Sequence, residues 1–118
     1  SLAPMIDRLK GSSGWSGLTL VTGATGPDEA RQLRALAPDA LFLVPGYGAQ
    51  GAGAAEAMAG FVSARNGGNR LEGGCVNASR SLTFPSGSES ATSTENWRDL
   101  VTKAIDLAQA DLNEVAPR

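Results

Sequence analysis

A chain of 118 residues has room for about one small domain with a single core. With 42% apolar residues, 19% charged and a net charge of −2, it offers no basic footprint for nucleic acid or an anionic membrane. Its apolar runs are too short to span a bilayer. The lack of histidine removes His-based triads and His-ligated metals. Cys75 is the one cysteine and sits in an apolar segment. Read as a buried thiol, it argues against a disulfide framework and for a reducing, cytoplasmic setting. No basic start precedes an apolar stretch, so no signal peptide is read, and "SLAP" without an initiator methionine points to sequence upstream.

In chain order, Leu2, Met5, Ile6 and Leu9 have helical spacing and stop at Gly11. "GSSGWSG" (11–17) is a loop by composition, and "LTLVTGAT" (18–25) predicts a short buried strand running into a turn. Residues 27–37 predict a helix. Thr25 or Gly26 can cap it, Pro27 suits its first position, and its early acids suit the dipole. Ala30, Leu33, Leu36 and Ala37 supply its apolar face. "ALFLVPG" (40–46) reads as a strand buried on both faces, because its apolar residues are continuous. A helix of small residues follows over 53–64, then a loop over 65–74 and a third strand at 74–79. Residues 85–95 read as a polar linker. From Trp97 to about Val115, three- and four-residue apolar steps predict an amphipathic helix.

Strands alternating with helices imply a parallel sheet with crossovers. Three strands make a poor domain on their own, so the chain reads as one domain-sized piece, residues 1–118, of something larger. In such folds chemistry collects at the carboxyl edge of the sheet. There "PGYGAQGAG" follows the second strand and "NASRS" the third. Gly46, Gly48, Gly51 and Gly53 allow backbone amides to approach an anion, Gln50 can donate to it, and Arg80 offers a planar fork of donors. This pairing suits the phosphate site formed by the last two loops of a (β/α)8 barrel. Tyr47 either lines the pocket mouth or covers the loop, and Asn77 serves the strand end or a neighbouring loop. Asp99, Lys103 and Asp106 resemble a catalytic cluster, but Asp99 and Lys103 read as an ordinary i,i+4 ion pair on a solvated helix. Ser79 has no histidine to activate it, so no hydrolase triad can form.

"VTGATGPDEARQLRALAPDALFLVPGYGAQG", followed by "CVNASRSLTF", resembles the orotidine 5′-phosphate decarboxylase family. The likeness is to its bacterial branch, with "VGAT-P-E", "FLVPG-GAQGG" and "NSSRG" segments. It implies an α/β fold, the C-terminal portion of a (β/α)8 TIM barrel, with strands six to eight and their helices. It further implies that Gln50 and Arg80 grip the 5′-phosphate, helped by Ser79 and by backbone amides near Gly48 and Arg80. Pro45 and Gly46 would lie by the pyrimidine ring. The family reaction turns orotidine 5′-monophosphate into UMP and CO2 in pyrimidine biosynthesis, without metal or organic cofactor. It stabilises a carbanion electrostatically and protonates it from a lysine.

Here "ASRS" stands for "SSRG", so Ser81 replaces a glycine. The family's Asp-x-Lys-x-x-Asp motif does not occur, so no catalytic residue is assigned in these 118 residues. The expectation is a phosphate-binding part that is inactive alone, completed by an N-terminal barrel half, in a homodimer. The alternatives are a non-catalytic phosphate-binding half-barrel that needs a partner chain, and another phosphate-handling barrel enzyme.

Overall fold

The computed structural model describes residues 1–48 and 50–115. Helix α1 (Ala3–Arg8) leads through a bridged turn, Lys10 to Ser16, into strand β1 (Thr19–Val21). Helix α2 (Pro27–Leu36) has Gly26 as its N-cap, Pro27 in its first turn and Asp28 and Glu29 beside the positive end of its dipole. Strand β2 (Leu41–Pro45), the short helix α3 (Ala54–Ala57) and strands β3 (Val62–Ser63) and β4 (Leu71–Glu72) follow. Next come β5 (Gly74–Asn77), α4 (Arg80–Thr83), a 3-10 turn (Ser88–Ser90) and the long helix α5 (Thr94–Asn113).

β1, β2 and β5 form a sheet in that spatial order, and its strands are parallel, as the alternation predicted. β3 and β4 form a separate antiparallel pair. The fold is therefore mixed α/β with βα crossovers. Among the described residues, no helix is long and apolar enough to cross a membrane.

The register divides the sheet into two unlike faces. Leu20, Phe42 and Gly74 lie level on one, and Val44 and Val76 follow them. On this side Phe42 and Val44 pack with Ala24, Ala37, Ala40, Ala57, Met58 and Phe61 into a core built largely from small residues. Small side chains let helix and strand backbones approach closely, which suits a chain so lean in aromatics.

On the opposite face Val21 is 69% exposed and Leu43 and Cys75, level with it, are exposed too. The readings of β1 as buried, of β2 as buried on both sides and of Cys75 as a buried thiol are thereby corrected. The helices cover a single face, so β2 alternates in burial although its sequence does not alternate in polarity.

Two further expectations change. The helix expected over 53–64 ends after Ala57, because Gly60 must lie flat on the Phe42 ring. A Cβ at Gly60 would come within 2.7 Å of that ring. The chain instead turns into the β3–β4 hairpin, so the loop expected over 65–74 contains β4. In α2, Ala30 and Ala37 are buried and Leu33 packs against the core, but Leu36 is 80% exposed. Arg34 takes the buried position instead.

α5 starts where Ser93 Oγ accepts the Asn96 amide (3.0 Å) and the Asn96 side chain accepts the Thr92 amide (3.3 Å). This reciprocal cap fixes the helix start just after the polar stretch. Leu112 of α5 packs against the core, and the Trp97 indole donates to the Thr83 carbonyl (3.2 Å), holding α5 against α4.

One buried polar atom lacks a partner among the described residues, the Thr22 hydroxyl just past β1. A buried hydroxyl without a partner costs about 1–3 kcal/mol, and valine matches threonine in shape. Thr22→Val is therefore expected to raise stability by about 1 kcal/mol in urea unfolding, and a loss of stability would show that the hydroxyl has a partner.

Candidate functional site

The two edges of the sheet carry different chemistry. At the amino edge, charge and aromatic rings lock the elements together. Arg65 lies over the Trp15 ring (3.7 Å) and donates to the Gly14 and Pro38 carbonyls and to Asp39 (2.7 Å). Lys10 reaches the other Asp39 oxygen (2.5 Å). The hydrogen bonds and charges of Lys10 and Arg65 hold the Asp39 carboxyl below the usual range. Glu72 accepts both the Trp15 indole (3.3 Å) and the Arg65 amide (2.8 Å). These groups have partners already, and the cluster serves stability.

At the carboxyl edge, polar groups are left over. Pro45 ends β2, and the following loop turns on Gly46, Gly48 and Gly51, whose φ angles are 104°, 77° and 90°. A Cβ at Gly46 would meet the Gln50 side chain at 3.2 Å and Ala24 at 3.6 Å, so glycine lets the loop fold back over the strand end. Asn77 ends β5, and Ser79 and Arg80 open α4 beside it. The strand ends and their loops enclose a cavity of about 80 Å³, lined by Pro45, Gly46, Tyr47, Gln50, Asn77, Ala78, Ser79 and Arg80. At ~30 Å³ per liquid water, it has room for a small oxyanion.

Most of the sequence-predicted residues thus meet in one place. Gln50, Arg80, Ser79, Pro45 and Gly46 share the cavity, although β2 and β5 are far apart in sequence. Gly48 does not line it. Its amide donates to the Ala52 carbonyl (3.0 Å) and its carbonyl accepts the Gly51 amide (2.9 Å), so its bonds are spent on the turn. Ser81 faces away as well. Its hydroxyl lies 3.4 Å from where a Gly48 Cβ would be, in a neighbouring groove, so the serine found in place of glycine leaves the small cavity clear. Among the described residues the Arg80 guanidinium makes no ion pair.

The neighbouring groove is a much larger concavity, about 650 Å³, between α5 and the segment from Ser81 to Ser86. Lys103 lines it and forms no ion pair with Asp99, which corrects the i,i+4 pair expected on this helix. Between cavity and groove stands Tyr47, which lines both. Its hydroxyl donates to Asp111 Oδ2 on α5 (2.6 Å). Burial, then the bond to Asp111, pushes the phenol up to about 12. Sequence reasoning left Tyr47 undecided and had no signal for Asp111, one of several acids on a solvated helix.

The fold and this edge define an α/β unit with a parallel sheet and a small polar cavity between two strand-end loops. The kinship is more particular: the chain is similar to orotidine 5′-phosphate decarboxylases. It is 41% identical over 104 residues to the protein of that name from Haloarcula marismortui, covering 85% of this chain and 34% of the relative. With the orotidine 5′-phosphate decarboxylase of Rhodopirellula baltica it shares 34% over 111 residues, 88% of this chain and 35% of the relative. The protein of the same name from Caldicellulosiruptor bescii is 39% identical over 74 residues, 63% of this chain and 22% of the relative. The chain spans about a third or less of the length of these curated relatives. No family model matches it.

Proposed function

We propose that this chain is the phosphate-holding part of an orotidine 5′-phosphate decarboxylase, a lyase that converts orotidine 5′-monophosphate into UMP and CO2. The observation that carries this reading is the meeting of Gln50, Ser79 and the unpaired Arg80 in one cavity at the carboxyl edge, in a chain whose relatives bear that name. Arg80 grips the 5′-phosphate as a bidentate donor, Gln50 donates its side-chain amide, and Ser79 adds a hydroxyl. Pro45 and Gly46, on the inner wall, border the pyrimidine. Gly48 contributes the turn that presents Gln50.

The chain then corresponds to strands six to eight of a (β/α)8 barrel. The bare face carrying Val21, Leu43 and Cys75, together with the outer edges of β1 and β5, is where an N-terminal barrel half would complete the wall. That half supplies the reacting carboxylates and lysine, and a second subunit of a cytoplasmic homodimer lends a further carboxylate. The phosphate end contributes binding energy remote from the reacting carbon, which closes and organises the site.

The test is a decarboxylation assay with and without a supplied N-terminal half bearing Asp-x-Lys-x-x-Asp. Turnover is expected only in the assembly. In that assembly Arg80→Ala is expected to weaken UMP binding by about 10–100-fold, the worth of charge-assisted hydrogen bonds, while uridine binding stays level. Appreciable turnover by the 118-residue chain alone would overturn this division of labour. Assembly without turnover, with UMP still bound, would favour a non-catalytic phosphate-binding module.

A further inference from the structure

We propose that Tyr47 and Asp111 form a tie that positions the phosphate loop, making Tyr47 a positioning residue for phosphate binding; this rests on the phosphate reading of the cavity. The loop from Gly46 to Gly53 needs such a tie. It turns on three glycines with positive φ, at 46, 48 and 51, which are free to adopt other backbone shapes. Its internal hydrogen bonds, Gly48 amide to Ala52 carbonyl and Gly51 amide to Gly48 carbonyl, close the turn on itself; Ala52 seats its far end in the core, and the Tyr47 end takes an anchor of its own.

Tyr47 supplies that external anchor. It stands between two of these glycines and lines the cavity that Gln50 and Arg80 share. Its hydroxyl reaches across 64 positions of sequence to Asp111 at 2.6 Å. Asp111 is a firm post, since α5 carries it, and α5 is held by its cap, by the Trp97–Thr83 bond and by Leu112 against the core. A charge-assisted bond from a rigid ring with two torsions fixes the loop at small entropic cost. The same residue lines both the cavity and the groove along α5, so losing the tie would let the turn at Tyr47 shift toward that groove and disturb Gln50.

The test uses the chain assembled with its N-terminal half. It measures ribose 5-phosphate affinity and amide exchange at Gly48 and Gly51 in Tyr47→Phe, Asp111→Ala and Asp111→Asn. Tyr47→Phe and Asp111→Ala are expected to weaken the phosphate ligand about 5–10-fold, the worth of one typical intramolecular hydrogen bond, and to speed both amides by a similar factor. Asp111→Asn keeps an acceptor and is expected to recover most of the affinity, which a role in general stability would not predict. Arg80→Ala serves as the reference for the site itself. Binding that Arg80→Ala abolishes but Tyr47→Phe leaves untouched would overturn the tie alone. Faster exchange with unchanged affinity would also overturn it, leaving only a structural bond. Failure of the unsubstituted assembly to bind would overturn the phosphate reading, and this inference with it.

Discussion

Replacing Arg34 by methionine is expected to destabilise the fold by about 3 kcal/mol, because it strips the donor from buried backbone carbonyls at the amino edge of the sheet. Arg34 is 8% exposed, yet among the described residues no carboxylate bonds its guanidinium. Nε donates to the Gly60 carbonyl (2.7 Å), Nη1 to those of Ala40 (2.6 Å), Pro38 (3.1 Å) and Ala37 (3.3 Å), and Nη2 to Gly73 (2.9 Å). The planar group also lies 3.8 Å from the Phe42 ring centre. One side chain thus joins α2, the turn into β2, the end of the α3 segment and the start of β5.

Burial, then the nearby positive Arg65, lowers the guanidinium to about 10, so it is still charged at neutral pH. Methionine would keep the apolar stem against Phe42 and remove that desolvation cost. It would leave the Gly60 and Ala40 carbonyls without the guanidinium, and each buried, unsatisfied acceptor costs about 1–3 kcal/mol. Lysine has a single charged tip and cannot span these directions, so Arg34→Lys is expected to lose nearly as much. Urea unfolding gives the number, and a loss below about 1 kcal/mol would mean that water or relaxation replaces the guanidinium. Phosphate affinity of the folded fraction is expected to stay level, since Arg34 lies at the other edge from Arg80.

That arginine shows where the sequence stops being readable. A charged residue within a helix, even between Leu33 and Ala35, reads as solvated. Only the tertiary fold puts carbonyls from three segments around it. The exposed Leu36 is the other side of the same misreading, because rotating α2 to bury Arg34 turns Leu36 outward. By contrast α2 and α5 were legible from periodicity and from Gly26, Pro27 and the acids beside them, which act locally. The parallel order of β1, β2 and β5 was legible because crossover helices leave few alternatives.

The length of the helix after Gly53 was not legible, since it depends on a ring from another strand pressing on Gly60. Nor was one-sided burial, because a strand bare on one face can have the same composition as one covered on both. The cavity residues announced themselves through glycines and an arginine at strand ends. The Tyr47–Asp111 bond, across 64 positions, left no local trace.

Gly74→Ala is expected to damage both stability and phosphate binding, since it acts on the contact that holds the two halves of the cavity at the right spacing. Gly74 is level with Phe42 in the β2–β5 pairing. A Cβ there would run into the Phe42 carbonyl oxygen, with the carbonyl carbon and Cβ of Phe42 at 3.1 Å. These are mostly backbone atoms of a paired strand, and no side chain can swing aside to make room. Overpacking of this kind costs about 1–3 kcal/mol, and relief must come from β5 moving away from β2. β2 carries Pro45, Gly46 and Gln50 to the site, and β5 carries Asn77, Ser79 and Arg80.

A shift near the start of β5 therefore displaces one wall of an 80 Å³ cavity against the other. Misplacement by about 1 Å can lose on the order of 100-fold where several groups must converge on one ligand, so the affinity for ribose 5-phosphate is expected to fall by at least about tenfold. Gly11→Ala is the control. Its nearest contact would be the Trp15 carbonyl at 3.8 Å, an ordinary distance, and a change within about 0.5 kcal/mol is expected. If Gly74→Ala unfolded at the same urea concentration as the parent and bound the sugar phosphate equally well, the spacing of the two cavity walls would have to be set elsewhere, and the close β2–β5 approach would be incidental to the cavity.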